Sequence, residues 1–122
     1  MIQGNLISKK PIAIREYKPH TCASTDYEPV FSVTIPANSF FCFTAYAEWG
    51  GSRPSGVAIG PNGTSMADCN VKMDNTSEPV LNGAVVSFSG FAENDRELWI
   101  WGRWGNAQTS NRAFVEGFYI PA

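Results

Sequence analysis

Over residues 30–35 apolar and polar positions alternate, with Phe31, Val33 and Ile35 on one side and Ser32 and Thr34 on the other. That period of two predicts a half-buried strand, and Pro36-Ala37-Asn38-Ser39 then predicts a turn. Residues 40–49 give the longest predicted strand. One face carries Phe41, Phe43, Ala45, Ala47 and Trp49, while the other carries Phe40, Cys42, Thr44, Tyr46 and Glu48. The second face is apolar at its start and polar at its end, so half of this strand is expected to cross a closed core, with Cys42 as a small core hydrophobe. Gly50-Gly51-Ser52-Arg53-Pro54 ends it, and residues 56–59 form a short strand before the strong turn signal Asn62-Gly63.

Further strands are expected over residues 12–18, 69–73, 84–91, 97–104 and 112–120. Residues 97–104 are apolar on both sides: Trp99, Trp101 and Arg103 oppose Leu98, Ile100 and Trp104. In the last strand Phe114 and Phe118 share a face opposite Val115 and Tyr119, and Phe31, Phe43, Phe88, Phe114 and Phe118 are all expected in the core. No stretch has the spacing of an amphipathic helix, and turn signals recur every 8 to 12 residues or so. The pattern predicts an all-β protein, an antiparallel β-sandwich of about eight strands with jelly-roll-like connections. Residues 1–11 read as a loosely attached N-terminal segment and residues 12–122 as one domain.

Composition narrows the function. The 122 residues are 43% hydrophobic, 13% aromatic and only 16% charged, a content that rules out a disordered chain. Nine Lys and Arg against eleven Asp and Glu leave no basic excess for a nucleic-acid backbone. No apolar run has the length of a membrane span, and the N-terminus lacks the pattern of a signal peptide. Three widely spaced cysteines, Cys22, Cys42 and Cys69, fit neither a disulfide framework nor a zinc site and are expected as reduced thiols.

Catalytic signals are weak. His20 is the single histidine, in what reads as a turn, Lys18-Pro19-His20-Thr21, with Cys22 two residues on. Nothing beside that pair marks a nucleophilic triad or a metal site. Glu48, Glu97 and Glu116 read as strand carboxylates facing solvent rather than a glycosidase pair. Asp68, Asn70, Asp74 and Asn75 invite a calcium reading, but Met73 and Pro79 stand where an EF-hand needs Gly and Glu, so a polar loop is expected. Asn62-Gly63-Thr64 and Asn75-Thr76-Ser77 have the glycosylation spacing, which carries no meaning without an export signal. No enzyme activity, cofactor or metal is expected. The aromatic residues carry the remaining signal: Trp49 and Arg53 near the Gly50-Gly51 turn, together with Trp101, Arg103 and Trp104, are the candidate ligand-binding set. Rigid aromatic rings beside placed polar groups are what a glycan site uses.

The strings Val33-Thr34-Ile35-Pro36-Ala37-Asn38-Ser39-Phe40, Ser52-Arg53-Pro54-Ser55-Gly56-Val57-Ala58-Ile59 and Trp99-Ile100-Trp101-Gly102-Arg103-Trp104 stand in that order, followed by Arg112-Ala113-Phe114-Val115-Glu116-Gly117-Phe118-Tyr119-Ile120-Pro121. Over residues 28–122 this order resembles the C-terminal head domains of tail-fibre-like proteins in phages and prophages of gut bacteria. The resemblance implies a jelly-roll-like head, a homo-trimer, that touches a glycan or protein of the bacterial cell surface. It also implies a place in the virion tail after assembly in the host cytoplasm. A structural role, with an aromatic surface used only for self-association, is the second expectation. A small β-sandwich carbohydrate-active enzyme is a remote third.

Overall fold

The computed structural model describes residues 10–61, 69–74 and 85–122. Residues 1–9 of the expected segment 1–11, both Asn-x-Ser/Thr triplets and part of the Asp68–Asn75 stretch lie outside them. Eight strands follow in order: β1 (Ile12–Thr21), β2 (Glu28–Ile35), β3 (Ser39–Glu48), β4 (Pro54–Gly60), β5 (Val71–Asp74), β6 (Val85–Ala92), β7 (Arg96–Trp104) and β8 (Ser110–Pro121). They form two four-stranded antiparallel sheets, β1-β8-β3-β6 and β2-β7-β4-β5. The pairings β1–β8, β2–β7, β3–β6 and β4–β5 are nested like one long hairpin whose successive rungs fall in alternate sheets. That wrap makes this β-sandwich a jelly roll.

The core lies between the sheets. Phe31, Val33 and Ile35 of β2, Phe41 and Phe43 of β3, Val57 and Ile59 of β4, and Leu98 and Ile100 of β7 enter it on alternate positions, as the period of two requires. The odd face of β3 is buried along its whole length, and the even face points away from the sandwich. Cys42 is therefore not a core residue but a half-buried one on the outer surface. Phe114 and Phe118 also differ from expectation. The register sets them opposite Tyr46 and Cys42, so they share that outer face, and Phe118 is exposed. Inward from β8 point the smaller Ala113 and Val115.

Two glycines allow close approaches. A Cβ at Gly102 would sit 2.4 Å from the Trp104 ring, so its absence lets the indole lie back along β7. A Cβ at Gly117 would sit 2.1 Å from the Cys42 carbonyl oxygen, so the β3–β8 pairing needs glycine there. Pro19, read as part of a turn, belongs to β1. Because β1 is the edge strand of its sheet, a residue without an N–H is tolerated there.

Candidate functional site

The loops 22–27, 49–53 and 105–109 gather at one end of the sandwich, where β1, β3 and β7 finish and β2, β4 and β8 begin. Bulges in β2 after Pro29 and in β4 after Pro54 bend both strands at this same end. A buried polar cluster ties the loops together. Asn111 accepts the Ser52 backbone N–H on Oδ1 at 3.1 Å, while its Nδ2 reaches the Cys22 sulfur at 3.2 Å and Thr109 Oγ1 at 3.1 Å. The Cys22 thiol donates to the Thr109 carbonyl at 3.3 Å, and the hydroxyls of Ser52 and Thr109 meet at 2.7 Å. Backbone bonds from Cys22 N–H to the Thr109 carbonyl and from Gly51 N–H to the Ser110 carbonyl complete the base. Satisfied networks of this kind fix a single geometry, because each buried member left unpaired costs free energy.

A second cluster holds the 22–27 loop. His20 Nε2 donates to Glu28 at 2.8 Å, and the same carboxylate accepts the Ala23 N–H and the Ser24 hydroxyl. Burial pushes the Glu28 carboxyl up, but the bonds from His20, Ala23 and Ser24 and the charge of His20 outweigh it and hold the pKa below its ordinary value. His20 also stacks on Trp104, with ring centroids 5.8 Å apart. The Cys22 sulfur is buried among Asn106, Thr109 and Asn111, while His20 turns Nε2 to Glu28. Among the described residues no group of three or more His, Cys, Asp or Glu is placed to hold a metal ion.

The five residues singled out from sequence separate into three places. Trp49 and Arg53 stand on the 49–53 loop, Trp49 with 49% of its surface exposed, and the Arg53 carbonyl accepts the Gly105 N–H at 2.9 Å. Trp101 and Arg103 face outward from sheet β2-β7-β4-β5. Trp101 is nevertheless 5% exposed, and its indole N–H has no hydrogen-bond partner among the described residues. Arg103 donates from Nε to the Thr25 carbonyl at 3.2 Å and lies over the Tyr27 ring, which joins it to the 22–27 loop. Trp104 corrects the expectation: it is a core residue, 1% exposed, with its N–H donated to the Glu48 carbonyl at 2.9 Å, and no ligand reaches it. Its place follows from parity, since it shares the inward side of β7 with Leu98 and Ile100.

Sequence reasoning missed a second surface, the outer face of sheet β1-β8-β3-β6, which the register lays out in rows. Tyr17, Phe114 and Tyr46 stack across three strands, with centroids 5.4 and 4.7 Å apart. The next row is polar, Arg15, Glu116 and Thr44, and the one after it sets Ala13, Phe118 and Cys42 side by side. Beyond that, Phe40 and Phe91 pack at 4.7 Å beside Ile120. The two middle rows line an open depression of about 420 Å³ that includes Gly117. The usable signal was the even face of residues 40–48, where Phe40, Cys42 and Tyr46 already show an apolar series.

No protein-family model and no curated protein matches the sequence. Among solved structures, a chain from the disulfide-linked pili that Bacillus endospore appendages form is similar over 94% of this chain and 92% of that one, with 12% identity and a TM-score of 0.49. Among the described residues no helix is long and apolar enough to cross a membrane.

Proposed function

We propose that the protein is a non-enzymatic binding head, a jelly roll that presents its loop end to a glycan or protein of a bacterial cell surface, as the tip of a phage or prophage tail fibre and as a homo-oligomer in the virion. The observation that carries this reading is Trp49, a half-exposed indole on a loop whose base is fixed by Ser52, Thr109 and Asn111. A rigid aromatic held on a preformed base loses little entropy on binding, and the neighbouring Arg53 supplies the charged donor that orients hydroxyls or carboxylates. The burial of Cys22, 1% exposed with its sulfur held by Thr109 and Asn111, supports a site without a cysteine nucleophile. The tail-fibre likeness of residues 28–122 supports the bacterial surface as the target. The structural alternative, a component that binds only copies of itself, is favoured by the aromatic outer face of sheet β1-β8-β3-β6.

The test is binding of the fluorescently labelled chain to a glycan array and to intact gut bacteria, with Trp49→Ala and Arg53→Ala alongside. Loss of a central tryptophan contact is expected to weaken binding by roughly 30-fold or more. A parent chain that binds no surface, or a folded Trp49→Ala that binds as the parent does, refutes the proposal.

A further inference from the structure

Each of the two sheets ends in two edge strands, whose outward N–H and C=O groups have no described strand beside them. Three of the four edges are built against pairing. β1 carries Arg15, Glu16, Lys18 and Pro19, β2 carries Glu28 and Pro29 with a bulge between Pro29 and Phe31, and β5 is only four residues long. β6 has none of these devices: Val85–Ala92 holds no charge and no proline, and its register with β3 is unbroken. It is also open to solvent. Val85, Ser87, Ser89, Gly90 and Phe91 are exposed, and what Gly90 exposes is backbone. An uncharged strand paired on one side only is a template for another strand.

The side chains of β6 select the strand that fits. Val85, Ser87, Ser89 and Phe91 stand on the outer face, in line with Tyr46, Thr44, Cys42 and Phe40 of β3, while Val86, Phe88 and Gly90 share the other face. Two copies of β6 laid antiparallel about a two-fold axis keep their faces matched only in registers that set odd positions against odd and even against even. The register centred on Phe88 sets Val85 opposite Phe91, Ser87 opposite Ser89 and Val86 opposite Gly90. Both exposed apolar ends of the strand, Val85 at 46% and Phe91 at 39%, are then covered by each other. Hydroxyl meets hydroxyl in the middle, in line with the Thr44–Ser87 bond at 2.9 Å. Aromatic with β-branched and hydroxyl with hydroxyl are favourable cross-strand pairs. Centring on Ser87 or Ser89 instead sets Val85 or Phe91 against a serine, so the matched register is singled out. Because the strand holds no charge, no like charges meet across the axis.

We infer that β6 pairs antiparallel with β6 of a second copy of this chain through residues 85–91, so that the two β1-β8-β3-β6 sheets run on as one across a two-fold axis. β6 begins at the loop end where β3 finishes, so the pairing points the two loop ends in opposite directions. The contact therefore goes beyond a head whose copies stand side by side: it joins two binding ends into one bivalent body. Edge pairing alone buries less than a standard interface, so association is expected in the micromolar to millimolar range. It is measured with no ligand present and stands or falls apart from the Trp49 site.

Sedimentation of the parent from micromolar to millimolar concentration is expected to show its mass doubling. Ser87→Lys and Ser89→Lys together, at exposed positions and verified as folded by the thermal melt, set lysine opposite lysine on both sides of the axis. They are expected to weaken association roughly 30-fold or more. The variant with Ser87→Glu and Ser89→Glu is expected to dissociate likewise, and an equimolar mixture of the two to associate again, since each lysine then meets a glutamate. Amide exchange in the parent gives a readout free of any variant: protection of the β6 amides is expected to rise with concentration while that of the β1 edge does not. A parent whose mass does not double, a lysine variant that associates as the parent does, a mixture that stays dissociated, or β6 exchange independent of concentration overturns the inference.

Discussion

Replacing Asn111 with alanine tests whether the polar cluster holds the loop end in place. Asn111 is 2% exposed and serves three loops through one amide. Its removal strands the Ser52 N–H, a buried donor with no other acceptor in that cluster. Thr109 Oγ1 keeps its bonds to Ser52 and to the Asn106 carbonyl, so the loss on that side is smaller. One stranded donor and a small void together cost about 2–4 kcal/mol. At roughly 4 °C per kcal/mol for a chain of this size, the melting temperature is expected to fall by about 8–16 °C. Urea unfolding followed by tryptophan fluorescence measures the free energy, and amide exchange at Gly51 and Ser52 reports on the loop itself. A change under about 0.5 kcal/mol, within the range of an ordinary surface substitution, refutes the reasoning.

Two other outcomes follow from single groups. Gly117→Ala drives a Cβ into the Cys42 carbonyl and the Phe43 backbone, and is expected to cost more than about 3 kcal/mol or to abolish folding, as read by circular dichroism; a melt like the parent's contradicts the fit. The Glu28 carboxyl has a lower pKa folded than unfolded, so its contribution is complete above the ordinary carboxylate value near 4.5 and is lost as pH falls through the folded pKa. Glu28→Gln is therefore expected to flatten the decline of stability below about pH 4.5, and urea titrations across that range that match the parent's slope would count against it.

The strands were legible because alternation is local. Residues 30–35 and 40–48 alternate and are strands in the structure, and residues 97–104, apolar on both sides, form a strand as well. What the pattern left open was the inward side wherever both sides are apolar. In β8 the bulk of Phe114 and Phe118 argued for the core, yet Ala113 and Val115 occupy it. Part of the interior is filled from the facing sheet, where the buried Trp104 reaches across to donate its N–H to the Glu48 carbonyl of β3. Side-chain volume on one strand is decided by volume on another, which no local window contains. The same limit applies to the candidate site. Trp49 and Arg53 were found because Gly50-Gly51 marks a loop, whereas the cluster of Cys22, Ser52, Thr109 and Asn111 joins positions far apart along the chain.

The nested pairing has a consequence for synthesis. Of the eight described strands β1 leaves the ribosome first, but it pairs with β8, the last of them. Until then Cys22, which follows β1, lacks Thr109 and Asn111, and β1 has no strand to join it to β3. High contact order of this kind slows folding and leaves apolar strands open to neighbouring chains. Truncation anywhere before Ser110 removes β8 from between β1 and β3 and splits that sheet, so ribosome-bound intermediates of this protein are natural clients for chaperones.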